Sequence, residues 1–277
     1  MTEAKYRPIA IQTPDGLLIS GQGWGNPAGP EILFIHGFMQ SHLSWRRQVE
    51  SALAREFRMV TYDLRGHGDS EKPLERERYR SGKAWGDELA AVISAAGLRR
   101  PVLVGWSYAG RVIADYLEAC GSAGIAGINF VNARTNSDPR YASAFSSRHL
   151  TDLVAEDLAT RIAATGTFLR ACFSRQPSQD EFETMLAFNM MVPREVRAAM
   201  GGRDFDGDAL MRRLAVPVLV TFGVEDKILT LEGARHTAAV TPGSRLSLYD
   251  GIGHAPFWED APRFNAELAD FVRRAAA

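Results

Sequence analysis

The chain has 277 residues, 45% hydrophobic and 23% charged, with a formal net charge of −1. That length builds one large α/β domain with room for an inserted subdomain. The near-neutral balance leaves no electrostatic footprint for nucleic acid or an anionic membrane, and the pairs Arg46-Arg47, Arg99-Arg100 and Arg273-Arg274 read as scattered solvated faces.

Short β-type runs alternate with helical stretches, which predicts a mainly parallel sheet covered on both faces. Residues 6–13 and 17–23 read as an antiparallel pair turned at Pro14-Asp15-Gly16. A strand at 31–35 precedes a helix from 44 to about 57, then a strand at 58–62 and a polar loop through Pro73. A helical period runs over 83–96 and stops at Gly97. The strand 101–104 leads into a helix starting near Tyr108 and continuing through 111–119. Strands at 125–131, 216–222 and 245–249 bring the total to eight, and a helix at 262–275 closes the chain. Residues 136–213 break the alternation with helical patterns only. They read as a helical cap subdomain inserted into a core of 1–135 and 214–277, over the sheet edge where open α/β sheets bind ligands.

The start of the chain has no apolar signal core, no later segment is apolar enough to span a bilayer, and Cys120 and Cys172 form no C-x-x-C. The expectation is a cytoplasmic enzyme with two buried thiols, no metal and no redox pair. Asp204-Phe205-Asp206-Gly207-Asp208 imitates a calcium loop, but Ala209 and Ala215 stand where that loop needs glycine and glutamate. A turn capped by Asp208 is the expectation there. Gly21-Gln22-Gly23-Trp24-Gly25 is not a dinucleotide fingerprint, so no cofactor site is read.

Gly105-Trp106-Ser107-Tyr108-Ala109-Gly110 carries the chemistry. A buried strand ends in a sharp turn bearing a serine and passes into a helix, the nucleophile-elbow pattern with Ala109 in place of its second glycine. A serine hydroxyl is a weak nucleophile and needs a base, an orienting acid and an oxyanion site. Of six histidines, His36 and His67 sit among glycines as loop-shaping residues, and His42, His149 and His236 read as exposed imidazoles. His254, in Gly251-Ile252-Gly253-His254-Ala255-Pro256, lies just beyond the last strand, at the edge where the elbow emerges. Asp226 follows the strand 216–222; Glu225 is its nearest rival and Asp250 a weaker one. The other acid position, after the strand ending at Val131, holds Asn132, which cannot ionise. The order Ser107, Asp226, His254 suits an elbow serine. Backbone N–H groups of Tyr108 and of Phe38, in Ile35-His36-Gly37-Phe38-Met39, are the candidate oxyanion donors.

His36-Gly37-Phe38, Tyr62-Asp63-Leu64-Arg65-Gly66-His67-Gly68-Asp69-Ser70, the elbow, Gly223-x-x-Asp226 and Gly253-His254-Ala255-Pro256-Phe257 together resemble the α/β-hydrolase superfamily. The likeness spans the chain apart from the cap and is nearest to small capped serine esterases and the cofactor-free haloperoxidase (perhydrolase) group. That group often has Trp-Pro after His-Gly, where this chain has Phe38-Met39. Relatives that open epoxides or dehalogenate use aspartate as nucleophile, against Ser107 here. The run 62–70 has no Walker lysine-serine ending and is expected to brace the sheet edge.

The expected function is cleavage of a small or medium apolar carboxylic ester or lactone through an acyl-enzyme, without cofactor or metal. Trp106, Met39, Phe188, Met191 and Phe257 are the candidate pocket residues. Perhydrolysis and hydrolytic C–C cleavage are rivals that can use the same triad. A small-molecule receptor with a slow or vestigial triad is the rival of another class.

Overall fold

The computed structural model describes residues 6–149 and 151–277; the side chains of Ser147, Arg148 and His149 lie outside the described set. Eight strands form one sheet: β1 (Arg7–Gln12), β2 (Leu18–Gly25), β3 (Glu31–Ile35), β4 (Arg58–Tyr62), β5 (Val102–Trp106), β6 (Gly127–Val131), β7 (Val218–Gly223) and β8 (Arg245–Tyr249). Their order is β1-β2-β4-β3-β5-β6-β7-β8. β1–β2 and β2–β4 pair antiparallel, and the strands from β4 to β8 pair parallel. The turn between β1 and β2 falls at 14–16, where Gly16 has φ +88° and Thr13 Oγ1 donates to Asp15 Oδ1 at 2.6 Å.

Two glycines place the helices. Gly105 lies in β5, and a Cβ there would come within 2.5 Å of Ile113 in α2 (Ala109–Cys120). Gly127 pairs in register with Val102, and a Cβ there would meet Phe271 and Ala275 in α7 (Ala261–Ala276) at 3.2 Å. Residues 102 and 105 point to opposite faces because side chains alternate along a strand, so α2 and α7 cover opposite faces. α1 (Gly82–Ala95) packs against α2, and α6 (Leu231–Val240) lies against β7 and β8.

The expected helix over 44–57 is broken. A 3-10 turn (His42–Trp45) and two short helical pieces (Arg46–Val49 and Leu53–Glu56) stand in its place. Ser51 is the physical reason: its hydroxyl donates to Gln48 O at 2.7 Å and accepts from Leu53 N, competing with the helical pattern.

Between β6 and β7 the described residues contain helices and isolated bridges but no strand. The main helices are α3 (Leu158–Ala171), α4 (Gln179–Met190) and α5 (Arg194–Met200). Asp157 caps α3, and Ser178 with Glu181 forms a reciprocal capping box on α4. Asp208 does not cap the short helix Asp208–Met211 as expected. Its carboxylate is drawn off by His236 Nε2 at 2.9 Å and Asn136 Nδ2 at 3.2 Å, so His236 is also paired rather than free. Among the described residues no helix is long and apolar enough to cross a membrane.

Candidate active site

β5 delivers the serine at the C-terminal edge of the sheet. Ser107 has φ +57°, in the left-handed region that strains a side-chain-bearing residue. Its amide donates to Val131 O at 3.0 Å, and Gly110 N and Arg134 N donate back to Ser107 O. The close approach explains the residue types. Gly105 leaves room for Ala109, so alanine is tolerated where the elbow pattern has glycine. The intolerant position is Gly110, where a Cβ would lie 2.5 Å from Arg134 O.

The candidate acid and base, Asp226 and His254, meet beyond the ends of β7 and β8. His254 Nδ1 lies 2.7 Å from Asp226 Oδ2, with both side chains buried. Asp226 accepts three further bonds: Ile228 N at 2.6 Å and Leu229 N at 3.1 Å on Oδ1, and Asn132 Nδ2 at 2.8 Å on Oδ2. The carboxylate is therefore saturated, and as an acceptor-only group it requires the proton to sit on His254 Nδ1. That leaves Nε2 as the imidazole's acceptor. Asn132 (φ +39°) thus meets Asp226 from the neighbouring strand, so the two sequence positions weighed for the acid converge on one site. Glu225 is exposed, with its amide bonded to Ile252 O.

The histidine loop is tied down from several directions. His254 N donates to Cys172 O at 2.8 Å, and Gly253 N donates to Glu259 Oε1 at 2.9 Å. Trp106 Nε1 donates to His254 O at 2.8 Å, and the two rings lie 5.6 Å apart. This bond fixes the loop to the residue just before Ser107. Of the two thiols expected to be buried, Cys120 is exposed; burial pushes the Cys172 thiol well above its ordinary range, with the Asp226 charge adding to the effect.

Phe38 and Tyr108 flank Ser107, with ring centroids 6.5 Å apart. Neither backbone amide has a protein acceptor among the described residues. Gly37 brings the Phe38 loop close: a Cβ there would sit 3.1 Å from Ser107 Cβ. The run 62–70 braces this loop as expected. His36 Nε2 accepts from Leu64 N at 3.0 Å, and His67 Nε2 accepts from Met39 N at 3.2 Å. Burial holds the His36 imidazole down to about 4 and the His67 imidazole to about 3, so both are neutral acceptors.

His42 is not the exposed imidazole that the sequence suggested. Its Nδ1 lies 2.8 Å from buried Asp63 Oδ2. Burial opposes protonation of His42, but the Asp63 carboxylate outweighs it and raises the pKa. His42, Asp63 and Asp69 bring ligand-capable atoms within 4.8 Å of one another. The Asp63 carboxylate is already occupied by the amides of His42 and Asp69 and by the His42 ring, so the group reads as a loop brace.

Ser107 opens into a pocket of about 550 Å³ that also reaches Phe38, Tyr108, Phe168, Met200 and Leu229. None of the five apolar residues expected to line it does so. Met39 is fully buried, and Phe257 packs on Trp45, Trp106 and Phe264. Trp106 lies with Phe257, on the strand face opposite Gly105. Phe188 faces a separate groove with Trp258, and Met191 is exposed. Sequence proximity to the serine and histidine misled for Trp106 and Phe257: strand alternation turns Trp106 to the face opposite Gly105, and Phe257, on the short helix Pro256–Glu259, packs against it. The lining missed by sequence reading includes Arg111, Arg134, Arg197 and Arg203.

Residues 30–261 match the sequence profile of the family described as the alpha/beta hydrolase fold. A candidate aryl esterase of Burkholderia cenocepacia is 37% identical with a TM-score of 0.94, covering 98% of this chain and 99% of that one. An esterase of Rhodococcus sp. ECU1013 is 32% identical with a TM-score of 0.90, covering 97% and 98%. A non-heme haloperoxidase of Rhodococcus erythropolis is 26% identical, covering 95% of this chain and 98% of that protein.

Proposed function

The chain belongs to the α/β-hydrolase fold family, and from that membership and the geometry at Ser107 we propose a serine hydrolase that cleaves carboxylic esters or lactones through an acyl-enzyme. The observation that carries the reading is the saturated Asp226–His254 pair, which leaves His254 Nε2 as an acceptor beside a strained serine turn. His254 takes the Ser107 proton as Oγ attacks the carbonyl carbon. The amides of Phe38 and Tyr108, which have no acceptor among the described residues, hold the tetrahedral oxyanion. The alcohol leaves with the proton from His254; water activated by the same ring then frees the acid and regenerates Ser107. Residues 136–213 form the cap in this reading, since the pocket runs from Ser107 to residues of that segment. The esterases among the structural neighbours support the same reaction class.

A second reading uses the same intermediate. Hydrogen peroxide attacking the acyl-enzyme would release a peracid and free serine, and the haloperoxidase relative favours testing it. A fluorophosphonate probe should label the wild type and not Ser107→Ala, and only the wild type should turn over p-nitrophenyl butyrate. Equal ester turnover by Ser107→Ala would overturn the proposal. Peroxide-dependent halogenation of a phenol dye exceeding ester turnover would favour the second reading.

A further inference from the structure

We propose that the ester accepted at this site carries a carboxylate, held by Arg111 and Arg134 at the polar end of the pocket; this rests on Ser107 being the nucleophile. Four arginines line the pocket, against one carboxylate residue, the exposed Asp204. Arg203 is neutralised by Asp115, at 2.8 and 2.9 Å. Arg197 is committed to structure, donating to Val192 O, Asn189 O, Leu153 O and Thr165 Oγ1.

Arg111 and Arg134 differ from these. Neither makes an ion pair with a carboxylate among the described residues. Arg111 uses only Nη2, which donates to Ser137 Oγ at 2.8 Å and to Arg203 O. Its guanidinium lies over the rings of Tyr108 and Phe205, at 5.5 and 5.4 Å. By hydrogen-bond geometry, Nε and Nη1 of Arg111 have no acceptor among the described residues, although the Tyr108 hydroxyl is near enough to favour the charge. Arg134 donates to Asn136 O, Ser137 O and Asp138 O, and its Nη1 has no acceptor among the described residues. Burial disfavours the charge of both and a neighbouring guanidinium adds to this, outweighing the support of Tyr108 and Asp115 at Arg111 and of Asp138 at Arg134.

Two cations held together in a partly apolar pocket with neutral partners are stabilised by an anion. A carboxylate matches the forked donors of a guanidinium. Arg111 lies four residues beyond Ser107 on the helix the elbow starts, about 6 Å along its axis. The carboxylate is proposed to sit roughly five bonds from the scissile carbonyl, in a pocket also lined by Phe38, Phe168 and Leu229. The apolar ester expected from sequence becomes an amphipathic one.

The test compares each charged ester with a neutral analogue. On the acyl side these are mono-p-nitrophenyl adipate and p-nitrophenyl hexanoate; on the alcohol side, p-carboxyphenyl butyrate and p-carbamoylphenyl butyrate. At low ionic strength the wild type should favour the charged member of at least one pair roughly tenfold in kcat/KM, chiefly through KM, and added salt should shrink the preference. Arg111→Gln and Arg134→Gln should each cut that ratio several-fold, and Arg111→Lys should keep part of it. Equal turnover within both pairs by active wild type would overturn the proposal. So would an unchanged ratio in a folded Arg111→Gln. If the glutamine variants do not fold, competitive inhibition of the wild type decides: adipate should inhibit and hexanamide should not, and equal inhibition overturns the idea. Adipate binding to Ser107→Ala, followed by calorimetry, reads the anion site without turnover. Failure of the nucleophile assignment therefore shows separately, as absent fluorophosphonate labelling.

Discussion

Replacing Asp226 by asparagine tests the site at its most constrained point. The carboxylate accepts from four donors: the amides of Ile228 and Leu229, Asn132 Nδ2 and His254 Nδ1. An amide offers one accepting oxygen and one donating nitrogen. With the nitrogen placed at Oδ1, it would face two backbone N–H groups that cannot turn away. With the nitrogen at Oδ2, it meets Asn132 Nδ2 and the His254 ring. The second arrangement leaves one donor–donor conflict, because His254 can move its proton to Nε2 and accept at Nδ1. That tautomer is useless as a base toward Ser107.

The expected cost in stability is one buried unsatisfied donor, about 1–3 kcal/mol. The expected loss in kcat is about 10⁴-fold, the scale seen when a triad histidine is held in the wrong tautomer, or about 5.5 kcal/mol in the barrier. Stopped assays with p-nitrophenyl butyrate and urea unfolding on the same preparation separate the two effects. Glu225→Gln is the control; its side chain is exposed and should change kcat less than twofold. A folded Asp226→Asn retaining kcat within tenfold of wild type would refute the tautomer argument.

Gly223→Ala should loosen the same site through the backbone. A Cβ there would lie 1.8 Å from Gly253 O and 2.6 Å from Ile252 O, so β7 and the histidine loop must separate. The urea midpoint should fall by the equivalent of about 3 kcal/mol or more, and an unchanged midpoint would contradict the packing. Acidification should destabilise the protein through His36 and His67, held to about 4 and about 3 by burial. Between those values and the ordinary 6.5 the unfolded chain binds more protons, so stability falls as pH drops through that window. From pH 7 to 5 the loss should be about 2 kcal/mol per histidine, measured by urea unfolding at both pH values. His42 acts in the opposite sense: its pKa is raised, so the folded state binds that proton first and gains stability as pH falls, partly offsetting the loss, until the pH is well below the ordinary 6.5. A flat pH response over this interval would mean that the two rings are not neutral acceptors.

The fold was readable because its signals are local and redundant. Four adjoining parallel strands, β3, β5, β6 and β7, are short apolar runs bounded by turn residues, and all appear within a few residues of their expected bounds. The helix expected over 44–57 failed for an equally local reason, the Ser51 hydroxyl, whose bonds depend on a side-chain rotamer that no hydrophobic period records. The residues proposed for the reaction were readable because backbone demands restrict them. A serine at positive φ needs small neighbours, and a loop histidine after a strand needs an acid from another strand end.

The pocket was unreadable for a different reason. Its lining is set by side-chain direction and by a segment whose distance from Ser107 in sequence says nothing about its distance in space. Trp106 adjoins the serine, yet its indole turns to His254 O. No sequence signal singles out Arg203, which lies 92 residues from Arg111, yet Arg111 Nη2 donates to its carbonyl. Charge at such a site is therefore better evidence about substrate than nearby apolar composition. An aromatic beside a nucleophile has many structural uses, whereas a buried guanidinium without a carboxylate has few. If the wild type turns over both members of each ester pair equally, or a folded Arg111→Gln keeps the full preference, this ordering is wrong, and the two arginines serve to pin the 136–138 and 203–205 segments to α2.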